Sequence, residues 1–158
     1  MNLKILSLFA AVLLVGACQQ STPPAGGATG AGATSTASGG AGTLAQKLVE
    51  AGNTIYFEFN RSDITGESRQ VLLRQAALLN QNPSVTVTIE GHCDERGTVE
   101  YNLGLGERRA NATKQALIAL GVAAGRVNVI SYGKERPAQV GHTEQAWAQN
   151  RRAVTVAN

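Results

Sequence analysis

Asp94 stands in the run Gly91-His92-Cys93-Asp94-Glu95-Arg96-Gly97-Thr98, and Arg109 follows fifteen residues later in Leu105-Gly106-Glu107-Arg108-Arg109-Ala110-Asn111. An acidic turn that closes a strand and leads straight into a helix brings these two side chains to the same end of a sheet. A carboxylate accepts hydrogen bonds from an ammonium, and a guanidinium grips a carboxylate through two parallel N–H donors. The pair therefore suits a small zwitterion. The residues alone leave a second reading open, in which Asp94 and Arg109 pair with each other or cap local backbone.

Other chemistries find less support. His92-Cys93-Asp94 offers metal-ligating types, but three consecutive residues at a strand end alternate faces and do not converge on one ion. The only other histidine is His142, and no Cys-x-x-Cys pair occurs. No serine lies in a Gly-x-Ser-x-Gly elbow with a base to activate it. The net charge of +3 is spread over both signs, with neither a basic run nor an aromatic stripe for nucleic acid. No cofactor, metal, catalytic residue or nucleic-acid partner is expected.

Several elements must position the pair. Ile55, Phe57 and Phe59 alternate with Thr54, Tyr56 and Glu58, as a strand with one buried face requires. Thr65 is placed to cap a helix from Gly66 to about Asn80, with Glu67 in its first turn and Pro83 blocking continuation. Val85, Val87 and Ile89 mark a second strand. A long helix is predicted from about Glu100 to Leu120, with Gly121 as a left-handed stop. A third strand spans 127–131, a short helix 142–149, and a fourth strand 153–156. Strands covered on both faces read as continuous apolar runs, and these alternate instead. The expectation is an α/β two-layer sandwich, a mixed four-stranded sheet with helices on one face, in the order βαβαβ(α)β.

The N-terminus points to export. Lys4 precedes an apolar run from Ile5 to Val15, too short to span a bilayer, and Leu14-Val15-Gly16-Ala17-Cys18 follows. Residues 1–17 read as a lipoprotein signal peptide with Cys18 as the first, lipidated residue; an ordinary signal with an incidental cysteine is the alternative. Lipid on Cys18 leaves Cys93 without an intramolecular partner, as a small buried hydrophobe. From Cys18 to residue 43 the chain is nearly all Gly, Ala, Ser and Thr, with Pro23-Pro24 and no charge. Such a stretch buries too little apolar surface to fold and reads as a flexible linker, or a passive spacer, of root-mean-square span roughly 25–30 Å. The folded domain is expected over 44–158, the size of a single core.

The stretch from Gly91 to Asn111 resembles the peptidoglycan-binding signature of OmpA-like domains. The resemblance implies that Asp94 takes the ammonium and Arg109 the carboxylate of meso-diaminopimelate in the peptidoglycan stem, with Leu105 and Ala110 shaping the wall. It also implies that Asn60 and Asp63 contribute from the loop after the first strand, and that Asn102, Gly91 and Gly97 shape the motif. Family members often have Asp at the position of Asn60, Ser at Gly106 and Val at Thr113, so the chain departs there. Losing the charge at position 60 weakens the hold on an ammonium by about 1 kcal/mol. Ser131 to Pro137 and Gly141 to Val154 resemble the lipoprotein branch of the family. That branch implies an outer-membrane anchor through Cys18, a periplasm-facing domain, and the propeller protein TolB of the Tol system as partner in cell division. A wall-binding lipoprotein of the same family that does not engage TolB is the alternative, and a periplasmic enzyme acting on peptidoglycan is a more distant one. Arg151-Arg152 reads, on its residues alone, as a solvated strand edge.

Overall fold

The computed structural model describes residues 37–158, and side chains from Thr43 onward. Cys18 and the apolar run before it lie outside the described residues. In chain order the elements are α1 (Ala37–Ala51), β1 (Thr54–Tyr56), α2 (Gly66–Gln81), β2 (Val87–His92), α3 (Val99–Ala119), a short 3-10 turn (Ala124–Arg126), β3 (Val127–Gly133), α4 (Glu144–Asn150) and β4 (Arg152–Ala157). Threonine caps open three of the helices. The hydroxyls of Thr65, Thr98 and Thr143 accept from the N–H groups of Ser68, Tyr101 and Ala146, each with a glutamate in the first turn beyond. Gly121 follows α3 with a φ of 95°, and its N–H donates to Ile118.

The strands form one mixed sheet in the order β1-β4-β2-β3. The last strand is laid into the middle, antiparallel to both neighbours, with Ile55 opposite Ala153 and Gly91 also opposite Ala153. β2 and β3 run parallel, joined by α3. Ile55, Val87, Ile89, Val127 and Ala153 face a core shared with Leu44 and Leu48 of α1, Leu72, Ala76 and Leu79 of α2, and Ala110 and Leu117 of α3. The other face carries Glu90, Ile130, Arg152, Val154 and Val156, half-buried or exposed. That is the one-sided sandwich that the alternation requires.

One element departs from expectation. α1 begins at Ala37, inside the stretch read as linker, and runs to Ala51. Its signal is thin, because only Leu44 and Leu48 mark an apolar face, one turn apart among small and polar residues. Both are almost fully buried, and this packing holds a helix that propensity alone does not specify.

α3 approaches β2 so closely that no side chain fits between them. A Cβ on Gly91 would lie 1.9 Å from the Gly106 carbonyl oxygen. A Cβ on Gly106 would lie 2.3 Å from the Ser131 hydroxyl, which donates to Leu103 O at 2.7 Å. A serine at position 106 thus has no room here. This backbone contact sets the depth at which Arg109, three residues on, meets the end of the sheet. Gly91→Ala forces two backbones apart and is expected to cost about 3 kcal/mol or more. Gly106→Ala meets a rotatable hydroxyl first and should cost about 1–2 kcal/mol; urea unfolding midpoints rank the two.

Candidate functional site

Just past the end of β2 a cavity of about 170 Å3 opens between the β1–α2 loop, the β2–α3 turn and the first turns of α3. Asp94 and Arg109 both line it, as do Leu105, Asn102, Gly97 and Asn60. β1 and β2 are not neighbours, because β4 separates them. The loop after β1 nevertheless reaches the turn after β2, and Arg109 is the tie. Its Nε donates to Arg61 O at 2.9 Å, its Nη2 to Glu58 O at 3.1 Å, and its Nη1 to His92 O at 2.8 Å. The Phe57 ring lies 5.3 Å from the guanidinium carbon.

Arg109 has no exposed surface, and burial lowers its pKa. A guanidinium stays charged even so. Of its five N–H groups, two have no backbone acceptor. None of the ion pairs among the described residues includes it. It is a buried cation beside a cavity, held by carbonyl dipoles and the nearby Cys93 thiol, with Asp94 close enough to act on its charge but not in ion-pair contact.

Asp94 does not pair with Arg109. Its Oδ1 accepts from the Arg96 backbone N–H at 3.2 Å and Arg96 Nε at 3.3 Å, and its Oδ2 from Arg96 Nη2 at 2.6 Å. Arg151 Nη1 approaches Oδ2 at 3.5 Å. Burial pushes this carboxyl upward, but the Arg96 hydrogen bonds and charge outweigh it, with Arg151 adding to them, and hold it below the ordinary carboxylate range. Asp94 is therefore an anion at neutral pH.

Arg151 is the main surprise. It is not a solvated strand edge: it is 5% exposed, donates to Phe57 O at 3.1 Å and pairs with Glu144 at 2.7 Å. Its neighbour Arg152 is half-buried and reaches the Arg136 carbonyl at 3.3 Å. Arg96, Tyr101 and Phe59 also belong to the lining; Phe59, expected on the buried face of the first strand, lies past the end of β1 and is exposed. Arg96 sits two residues after Asp94, a spacing at which an aspartate commonly accepts from backbone, so its part was readable. Arg151 carried no local signal, being 57 residues away.

The remaining sequence candidates divide. Asn60 adopts a φ of 57°, a left-handed conformation that asparagine tolerates better than most residues, and its Oδ1 accepts from the Tyr101 hydroxyl. Asn102 donates to Arg96 O at 2.8 Å and Thr98 O at 3.0 Å, closing the turn in which Gly97 takes a φ of 92°. Ala110 is fully buried in the core behind the cavity and does not line it. Asp63 also lies outside the lining; it is exposed and paired with Arg61 at 2.9 Å. Cys93 lines the cavity as a buried thiol that donates to Asn102 O at 3.3 Å, and burial raises its pKa.

His92 points elsewhere. Its ring is 2% exposed, and neither nitrogen has a hydrogen-bond partner. Glu90 is 3.8 Å away and the Tyr132 ring centroid 5.5 Å. Burial first, and the Arg152 charge second, depress its pKa from 6.5 to about 4. Between those values the unfolded chain binds a proton that the folded chain refuses, so stability falls as pH falls through that window. The loss should reach about 2–3 kcal/mol near the bottom of the window. His92→Leu is expected to flatten the dependence, checked by urea midpoints at neutral pH and at mildly acidic pH where Asp94 stays ionised.

A family model described as the OmpA family matches residues 56–151. The peptidoglycan-associated lipoprotein of Pasteurella multocida (strain Pm70) is 51% identical over 113 residues, 72% of this chain and 75% of that one. Its namesake from Agrobacterium fabrum (strain C58) is 42% identical over 156 residues, 98% of this chain and 87% of the other. Among solved structures, the peptidoglycan-associated lipoprotein from Burkholderia pseudomallei is 42% identical with a TM-score of 0.67, covering 68% of this chain and 92% of that one.

Proposed function

The chain belongs to the OmpA family, and from that premise we propose that it is a non-enzymatic outer-membrane lipoprotein whose folded domain binds peptidoglycan. Its relatives, peptidoglycan-associated lipoproteins, support both the lipid anchor and the peptidoglycan ligand. The lipobox ending at Cys18 supports the lipid anchor. No helix among the described residues is long and apolar enough to cross a membrane, so none of those helices supplies an anchor instead.

The ligand group follows from one observation. A fully buried guanidinium, with two N–H groups that reach no backbone acceptor and no carboxylate in ion-pair contact, lines the same small cavity as a buried carboxylate. A carboxylate that enters completes Arg109, and an ammonium on the same carbon meets Asp94. The amino-acid end of meso-diaminopimelate carries both charges on one centre, whereas a lysine side chain carries only the ammonium. Leu105 supplies the apolar floor. Asn60 in place of Asp keeps an acceptor but adds no second anion, which leaves Asp94 as the anionic anchor of the lining. Many such domains on one membrane facing one polymer give firm attachment from weak single contacts. The resemblance of Ser131 to Val154 to the lipoprotein branch supports TolB and the Tol system as partners in division and envelope integrity.

Replacing Arg109 by alanine would strand three carbonyls as well as empty the site, so its loss of binding would be ambiguous. Arg109→Lys and Asp94→Asn are more informative. Each should weaken co-sedimentation with purified cell wall by roughly tenfold to a hundredfold, the worth of one charged hydrogen-bonded contact. Full binding by both variants would dismiss the site. A diaminopimelate-containing muropeptide should bind and a lysine-containing one should not, read by calorimetric titration. Capture of purified TolB by the immobilised domain checks the partner.

A further inference from the structure

Asp94 is already saturated. A carboxylate offers about four lone-pair sites, and four donors occupy them: the Arg96 N–H, Arg96 Nε, Arg96 Nη2 and Arg151 Nη1. An incoming ammonium finds no acceptor until one donor leaves. The Arg96 N–H belongs to the turn backbone that Asn102 ties down. Arg151 is almost fully buried, bound to Phe57 O and Glu144. The Arg96 side chain is the exception, with 31% of its surface at the mouth of the cavity. Its guanidinium carbon lies 4.0 Å from the centre of the Phe59 ring and 4.0 Å from that of Trp147, and Nη1 is 3.8 Å from the exposed Glu144.

We propose that Arg96 is a built-in competitor that occupies the cation position at Asp94 while the cavity is empty, and that its guanidinium withdraws when a ligand ammonium takes that place. The inference rests on the zwitterion reading of the site. The two rings and Glu144 give the displaced guanidinium somewhere to go, since stacking and ion pairing survive a small shift toward solvent. The competitor also sharpens selection. An amine alone must expel a chelating guanidinium and gains one ion pair for another. A ligand that adds a carboxylate also gains the Arg109 N–H groups that reach no backbone acceptor, and only that ligand clears the threshold.

The test uses the whole folded domain and a diaminopimelate-containing muropeptide as probe. Arg96→Gln should bind the probe roughly tenfold more tightly than the parent protein, the worth of one charge-assisted contact removed from the competition. Arg96→Lys, which keeps the charge but loses the planar fork, should fall between them. Unchanged or weaker binding by Arg96→Gln, with the parent protein binding normally, overturns the inference and leaves the site reading intact. No binding by the parent protein sinks the site reading and this inference together. A ligand-free readout stands beside these: the Asp94 carboxyl, followed by carbon NMR, should titrate at higher pH in Arg96→Gln than in the parent. An identical titration overturns the claim that Arg96 is the main occupant of Asp94.

Discussion

The hydrogen bonds from Arg109 to three backbone carbonyls hold the cavity open. Glu58 and Arg61 lie in the loop after β1, and His92 ends β2. These segments are not joined by sheet pairing, because β4 intervenes. Without the guanidinium the His92 carbonyl would be left buried without its partner, and the loop would have little to hold it beside the turn. The same side chain is thus a structural tie and the cation of the site. Burying a charge without a counter-ion is costly, and carbonyl dipoles offset only part of that cost. The remaining imbalance is what the proposed ligand carboxylate would relieve.

The electrostatics of the rim are arranged in alternation. Arg96 and Arg151 converge on Asp94, and Glu144 sits behind both at 3.8 and 2.7 Å. Glu95 on the same turn receives His142 and Trp147 from the segment that follows β3. Two carboxylates of one turn therefore recruit side chains from the last third of the chain. The turn after β2 is held from both sides, by Asn102 within α3 and by these later residues. Its shape is set by contacts that converge from distant positions.

Much of the fold was legible. Alternation marked the first two strands, Thr65 placed the start of α2, and Gly121 placed the end of α3, whereas the caps at Thr98 and Thr143 emerge only in the structure. Strand limits shifted by a few residues where local periodicity says little: β1 stops at Tyr56 and β2 runs on to His92. The helix before β1 was missed because Leu44 and Leu48 alone carry its signal. Asp94, Arg109, Leu105 and Asn60 meet at one cavity, whereas Asp63 and Ala110 do not line it. Ala110 stands next to the lining residue Arg109, and one step along a helix turns a side chain away; Asp63 lies three residues past Asn60 and turns instead to Arg61. Arg151 was illegible for a different reason. Its role depends on β4 lying between β1 and β2, a topology that no local pattern encodes.

That placement has a consequence for how the domain comes into being. Among the described residues β1 has β4 as its only neighbour in the sheet, and Asn158 still donates to Thr86 O at 3.0 Å. A chain emerging from its N-terminus can close the β2–α3–β3 unit early, yet β1 and its loop stay unattached until the final residues arrive. Long-range closure of this kind is slow relative to local helix formation. As the chain folds, the pocket is consequently expected among the last features to close, because the gap between β1 and β2 awaits the strand that seals it.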